Sequence, residues 1–322
     1  MMSYDDELER SAHARVGARV GPYIVQSLIG LGGMAAVFCA VGPDAKRYAM
    51  KVLHREYSQH PEVRRRFVME AYVANRIGHP AVVRVVDHGV DADGSAFLVM
   101  DLLEGCTLEA LRRAHGGKLV PAQALGIAAQ LLDVLAVAHV TGVVHRDVKP
   151  DNVFIERAGT LRLMDFGIAR LLDGSGATRT GAILGTPAFM PPEQASGRAK
   201  QADPRSDVWS VGALLFMLLT NEEVHVAPNP TAQMVFAGTR PARSVLTAAP
   251  SLPRDIAHLV DRALAFDPTH RWPSAADMRA ALGAAAAQAG LAAAPTRGVL
   301  ELVTDPAYAS TIHDWSGRGS AS

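Results

Sequence analysis

Between residues 23 and 53 short apolar runs alternate with polar positions and stop at turn residues, a period-two pattern that predicts strands. Two of these runs, 23–29 and 36–41, flank a glycine cluster, and a third, 47–53, follows the turn signal Gly42-Pro43-Asp44. Residues 62–77 switch to a helical pattern, which Gly78 ends just ahead of His79-Pro80. Two more strands, 82–88 and 96–100, are split by Asp91-Ala92-Asp93-Gly94. The pattern predicts five strands and one helix over residues 22–103.

Beyond residue 104 the pattern turns helical. Residues 122–140 carry Leu125, Ala128, Leu132, Leu135 and Ala138 at spacings of three or four, an amphipathic helix. Residues 207–220 are apolar almost throughout, which predicts a helix buried at the centre of a lobe. Further helices are expected at 254–265 and at 274–282, the latter with Ser274 as N-cap. After Gly283 alanine, glycine and serine dominate, and 298–322 reads as weakly ordered apart from a strand at 299–303. The expected organisation is an N-terminal extension (1–21), a β-rich lobe (22–103), a helical lobe (104–284) and a partly disordered tail (285–322).

Composition removes several classes. Lys plus Arg equals Asp plus Glu, at 32 each, so no net field points to nucleic acid or an anionic membrane. Two cysteines, Cys39 and Cys106, make neither a disulfide framework nor a zinc spacing and fit a reducing compartment. The acidic start lacks the apolar core of a signal peptide. No stretch reaches the ~18 apolar residues of a membrane span, so a cytoplasmic chain is expected.

The candidate chemistry lies in His145-Arg146-Asp147-Val148-Lys149-Pro150-Asp151-Asn152, followed after two strand-like runs by Asp165-Phe166-Gly167. A carboxylate, a cation and oxygen ligands in one tight loop suit phosphoryl transfer, which needs a group at the incoming hydroxyl, a charge on the moving phosphate and a hold on Mg²⁺. Upstream, Gly30-Leu31-Gly32-Gly33-Met34-Ala35-Ala36-Val37 lets backbone N–H groups approach phosphate oxygens without a Cβ in the way, and Lys51 follows inside an apolar strand. The eight-residue stretch resembles the catalytic loop of the protein kinases, and Asp165-Phe166-Gly167 resembles their metal-binding loop. The resemblance runs from about residue 23 to about 282 and carries the order of lobes with it.

That resemblance implies an α+β, bilobal protein-kinase-like fold: a small five-stranded antiparallel β lobe with one helix, then a larger, mainly helical lobe. It implies that Gly30, Leu31, Gly32, Gly33 and Met34 cover the ATP phosphates, although Ala35 stands where the third glycine usually sits. Lys51 would hold those phosphates with Glu70 as its partner, Val37, Ala49 and Phe154 would sandwich the adenine, and Asp101 to Leu103 would read its edge. Asp147 and Lys149 become the catalytic pair, Asn152 and Asp165 the ligands of Mg²⁺, with Mn²⁺ as the alternative ion. Arg146 and Arg170 would pair with phosphate on Thr178 or Thr180. Thr186 would bond near Asp147 and Lys149, Asp207 would hold the catalytic-loop backbone, and Glu193 would pair with Arg271. His145 is expected to be an uncharged core histidine, and Cys106 a buried rather than reactive thiol.

Asp-x-Lys-Pro-x-Asn together with Gly185-Thr186-Pro187 resembles the serine/threonine branch, and Gly32-Gly33-Met34 with Asp-Pro-x-x-Arg-x-Pro-Ser resembles its bacterial members. The implied activity is transfer of the ATP γ-phosphate to Ser or Thr hydroxyls of proteins, controlled by activation-loop phosphorylation. Partners would be ATP, protein substrates and a second copy met transiently, with no nucleic acid and no membrane span. The alternative is a pseudokinase, a nucleotide-binding or scaffold module without the chemistry. The stretch 221–244 matches no common kinase pattern, and His225 within it has no second ligand at metal spacing.

Overall fold

A computed structural model describes residues 4–166 and 187–291. The chain divides into two compact units, the first holding described residues 4–78 and 83–105, the second 79–82 and the rest.

The first unit is built on an antiparallel sheet of β1 (Arg19–Val20), β2 (Tyr23–Leu31), β3 (Ala35–Val41), β4 (Arg47–Leu53), β5 (Val85–Val90) and β6 (Ala96–Asp101), in the order β1-β2-β3-β4-β6-β5. That is six strands rather than five, because Arg19 and Val20 pair with Ile24 and Tyr23. The strand expected at 82–88 starts later, at Val85, since Val82 belongs to the second unit and bridges to Leu163. Three helices replace the single one expected: α1 (Tyr4–His13), α2 (Arg55–Ser58) and α3 (Pro61–Ile77). Gly78 ends α3 with φ +67°, a left-handed conformation in which a Cβ would be strained.

Strand alternation sorts this sheet into two faces. Ala36, Phe38, Ala40, Met50 and Val52 join Val25, Phe97 and Val99 in one buried cluster, which Ala12 and Val20 complete. On the other face Leu53 and Leu98 pack with Phe67 and Ala71 of α3. The N-terminal segment is therefore part of this unit's core and not an appendage. Arg15 fastens it further, 2.5 Å from Asp93 and 3.6 Å from Asp91 in the β5–β6 turn.

From Cys106 on, the second unit carries a small sheet of β7 (Gly105–Thr107), β8 (Val153–Glu156) and β9 (Leu161–Leu163), of which Gly105 alone falls in the first unit. Its helices are α4 (Leu108–Ala114), α5 (Pro121–Val140), α6 (Pro192–Ala195), α7 (Pro204–Thr220), α8 (Pro230–Thr239), α9 (Arg254–Ala263) and α10 (Ala275–Gln288). Every residue of α7 from Ser206 to Leu219 is buried, as its unbroken apolar run requires. Ser274 caps α10 by accepting from Asp277 N–H at 3.1 Å. α5 is long and apolar enough to cross a membrane, but Leu125, Ile127, Leu131, Leu132 and Leu135 are fully buried in this unit. The stretch without a sequence account holds α8, capped by Asn229 accepting from Ala232 N–H at 2.8 Å. Arg243 meets Glu222 at 2.6 Å there, and Gln233 bonds Glu223 and the His225 carbonyl.

Candidate active site

The glycine cluster closes a tight turn in the first unit. Gly30 and Leu31 still lie in β2, opposite Val37 and Ala36, so the loop itself is Gly32, Gly33 and Met34. Gly32 N–H donates to Ala35 O at 2.9 Å, and a Cβ added at Gly33 would meet nothing within 4 Å. The protein's own packing leaves that room unused, which suits close approach of a ligand to the backbone.

Lys51 sits opposite Val37 on β3 and Leu98 on β6, and its Nζ lies 3.3 Å from Glu70 Oε1 of α3. An unpaired charge in an apolar strand would be costly, and the pair offsets that while holding the ammonium in place. Ala49, two residues before Lys51, and Val37 share its face and are buried. Asp101 ends β6, its N–H donating to Arg84 O at 3.2 Å, and half-buried Leu103 follows. Cys39 and Cys106 are buried free thiols, and burial pushes the Cys106 thiol up to about 11, far from thiolate reactivity.

In the second unit one carboxylate organises the loop after α5. Asp207, fully buried in the first turn of α7, accepts from Arg146 N–H through Oδ1 and from His145 N–H through Oδ2, each at 2.8 Å. His139 of α5 donates from Nε2 to Oδ2 at 2.8 Å. Burial alone would raise the Asp207 carboxyl, but the bonds and charge of His139 and the loop amides bring it below the ordinary aspartate range. Arg146 has φ +67°, a strained conformation for a side chain with a Cβ, and Gln194 holds it from the other side by donating to its carbonyl at 3.1 Å.

His145 is fully buried and neutral, its pKa pushed down by burial. Its Nε2–H donates to Met164 O at 3.0 Å, and its Nδ1 accepts from Asp147 N–H at 3.2 Å, so both ring nitrogens of one neutral tautomer are satisfied. This sets Asp147. Asn152 Nδ2 then donates to the Asp147 carbonyl at 2.8 Å and to Oδ2 at 3.1 Å, while Lys149 Nζ lies 3.4 Å from the same Oδ2. Because its nitrogen is turned to Asp147, buried Asn152 keeps its amide oxygen for another partner. Met164 N–H bonds Asn152 O at 2.9 Å, bringing the next residue, Asp165, beside this loop with φ +52°. An amide oxygen and a carboxylate are hard ligands, too few to cage a metal alone yet matched to Mg²⁺, which completes its shell with phosphate oxygens and water. Among the described residues no group of three or more His, Cys, Asp or Glu could hold a metal by itself. Phe154 lies in β8 opposite Arg162.

Farther from the chemistry, Arg271 meets Glu193 in a buried two-pronged pair, at 2.9 Å and 2.8 Å, and Ser206 Oγ adds a bond of 2.6 Å to Glu193. Burial would raise Glu193, but the Arg271 and Ser206 bonds hold it below the usual glutamate range. Arg170, Thr178, Thr180 and Thr186 lie outside the described residues. Sequence reasoning missed His139 and Gln194, which touch the loop only through the fold.

A paired lysine behind a glycine turn in one unit, and an aspartate–lysine–asparagine loop hung on a central helix in the other, define the protein-kinase class of fold. The family model for the protein kinase domain matches residues 23–281, and the chain belongs to that family. It is similar to the serine/threonine-protein kinase Pkn1 of Myxococcus xanthus, 36% identical over 280 residues, covering 85% of this chain and 39% of that protein. It is also similar to the serine/threonine-protein kinase PrkC of Bacillus subtilis, 35% identical over 271 residues, covering 82% of this chain and 41% of that one. The chain thus spans about two fifths of the length of these curated relatives. Among solved structures, the Mycobacterium tuberculosis PknI kinase domain is 25% identical with a TM-score of 0.64, covering 84% of this chain and 98% of that one. The apo form of PpkA-294 shares the fold at 24% identity and a TM-score of 0.68, covering 83% of this chain and 98% of that chain.

Proposed function

We propose that this chain is a serine/threonine protein kinase that transfers the γ-phosphate of ATP to Ser or Thr hydroxyls of proteins. The observation that carries the reading is the Asp147 carboxylate, held at its backbone by His145 and at its side chain by Asn152, with Lys149 3.4 Å away. Asp147 would orient the acceptor hydroxyl and take its proton as the oxygen attacks the γ-phosphorus and the bond to the β-phosphate oxygen breaks, releasing ADP. Lys149 would offset charge on the transferring group, and Lys51, steadied by Glu70, would hold the phosphates beneath the glycine turn. Asn152 and Asp165 would hold Mg²⁺, which supplies Lewis-acid masking of phosphate charge when bound. Val37 and Ala49 of the first unit and Phe154 of the second would give the adenine apolar surface, and Asp101 and Leu103 would read its edge.

Control would come from phosphate on Thr178 or Thr180, taken by Arg146 and Arg170 and added by a second copy of the chain. Both thiols being free and buried supports work in a reducing compartment, the cytoplasm. The test is ATP-dependent labelling of a generic protein substrate, followed by phosphoamino-acid analysis. Label on serine or threonine that disappears with Asp147→Asn and with a metal chelator is the expected result. An unlabelled substrate with well-folded chain, or label unaffected by Asp147→Asn, contradicts the reading.

A further inference from the structure

The first unit holds a second device at the glycine turn, made by a histidine just after β4. His54 N–H donates to Met34 O at 2.9 Å, continuing the β3–β4 ladder one step past the Ala35–Leu53 pair. Its imidazole then reaches across the turn, with Nε2 2.8 Å from Gly32 O. A carbonyl oxygen can only accept, so Nε2 carries the hydrogen. One residue therefore grips the turn at both of its shoulders.

We propose that His54 is a positioning residue for nucleotide phosphate, acting by fixing the direction of the Gly33 N–H. The peptide unit is planar and trans, so the carbonyl of Gly32 and the N–H of Gly33 lie in one plane and point in opposite directions. Holding the carbonyl on His54 aims the Gly33 N–H away from the imidazole. Gly32 N–H is already used on Ala35 O, and the Gly33 N–H takes part in neither bond. Two successive glycines could otherwise turn this plane over at little cost, since neither has a Cβ to restrict it. Gly33 is exposed, and open space lies where its Cβ would stand, so a phosphate oxygen can approach the backbone there. The inference rests on the reading of this turn as the ATP phosphate loop, and assigns to this chain's own histidine the rigidity that the loop lacks.

The experiment compares the unaltered chain with His54→Leu, which removes the donor, and His54→Gln, which keeps an N–H donor at comparable reach. Binding of a non-hydrolysable Mg-ATP analogue and of adenosine is measured by calorimetry on each. His54→Leu is expected to weaken the analogue roughly threefold to tenfold, the span of one hydrogen bond, while adenosine affinity stays unchanged. His54→Gln should restore the analogue to near the unaltered value. Unchanged analogue binding in His54→Leu, an equal loss of adenosine, or failure of His54→Gln to restore binding overturns the proposal while leaving the kinase reading intact. An unaltered chain that binds neither the analogue nor adenosine overturns both.

Discussion

In the proposed reaction Asp147 would act on the acceptor and Lys51 on ATP, so their loss should look different. Asp147→Asn keeps the shape and the bond from Asn152 but removes the proton acceptor, and phosphoryl transfer should fall roughly a hundredfold or more with ATP affinity kept. Lys51→Met should weaken ATP binding and transfer together, leaving Glu70 without its observed partner at 3.3 Å. Steady-state kinetics with a thermal melt of each variant checks both, and near-normal turnover in a cooperatively melting variant contradicts the assignment. Acid should act through buried groups whose folded pKa values are depressed, among them His145, Glu193 and Asp207. For each, stability is complete above the ordinary pKa and is lost as pH falls through the lowered folded value. Stability against denaturant, followed from pH 7 downward, should therefore fall first near ~6.5, where an unfolded histidine takes its proton, and again below ~4, where unfolded carboxylates take theirs. Residues in one contiguous motif, such as Asp147, Lys149 and Asn152, were expected together from their spacing, and the structure brings them within contact distance. His139 and His54 were not, since their partners Asp207 and Gly32 stand 68 and 22 positions away and nothing in the intervening pattern announces the contact.

The elements differ in how openly the chain declares them. α7 follows from an apolar run and α3 from its period and its terminal Gly78, because each is dictated by burial of its own side chains. α1 and β1 were hidden, since Tyr4–His13 is mostly polar and among its described side chains Ala12 alone joins the buried cluster, with Val20 from β1. Phe97 shares their buried cluster, and Asp91 and Asp93 hold Arg15 in the link between them, all far along the chain. Removing residues 1–21 should uncover that cluster and lower stability by roughly 2–3 kcal/mol, the transfer value of a valine and an alanine side chain. Urea unfolding of the shortened chain measures it, and an unchanged midpoint would mean that the segment is no part of the core. Between α6 and the loop before α10, the Glu193–Arg271 pair should be more sensitive. Arg271→Ala leaves a buried carboxylate and should cost about 3–5 kcal/mol, whereas most single surface changes stay within about 0.5 kcal/mol.

For the molecule as a whole, the proposed reaction would draw on groups from each unit, and the activation segment is the element expected to regulate it. Replacing Thr178 and Thr180 together by alanine should lower activity at least tenfold if a phosphate there organises Arg146 and Arg170, a loss of about 1.4 kcal/mol. Mass spectrometry of the unaltered chain after incubation with Mg-ATP should find phosphate on one of the two threonines, and full activity of the double variant with neither threonine modified contradicts this control. The central claim is phosphoryl transfer to protein hydroxyls through Asp147. Its most direct measurement is incubation of the unaltered chain and of Asp147→Asn with labelled ATP, Mg²⁺ and a generic protein, with phosphoamino-acid analysis of the product. Phosphoserine or phosphothreonine formed by the unaltered chain and absent with Asp147→Asn is the predicted result; equal labelling by both, or none by a folded, ATP-binding unaltered chain, would contradict it.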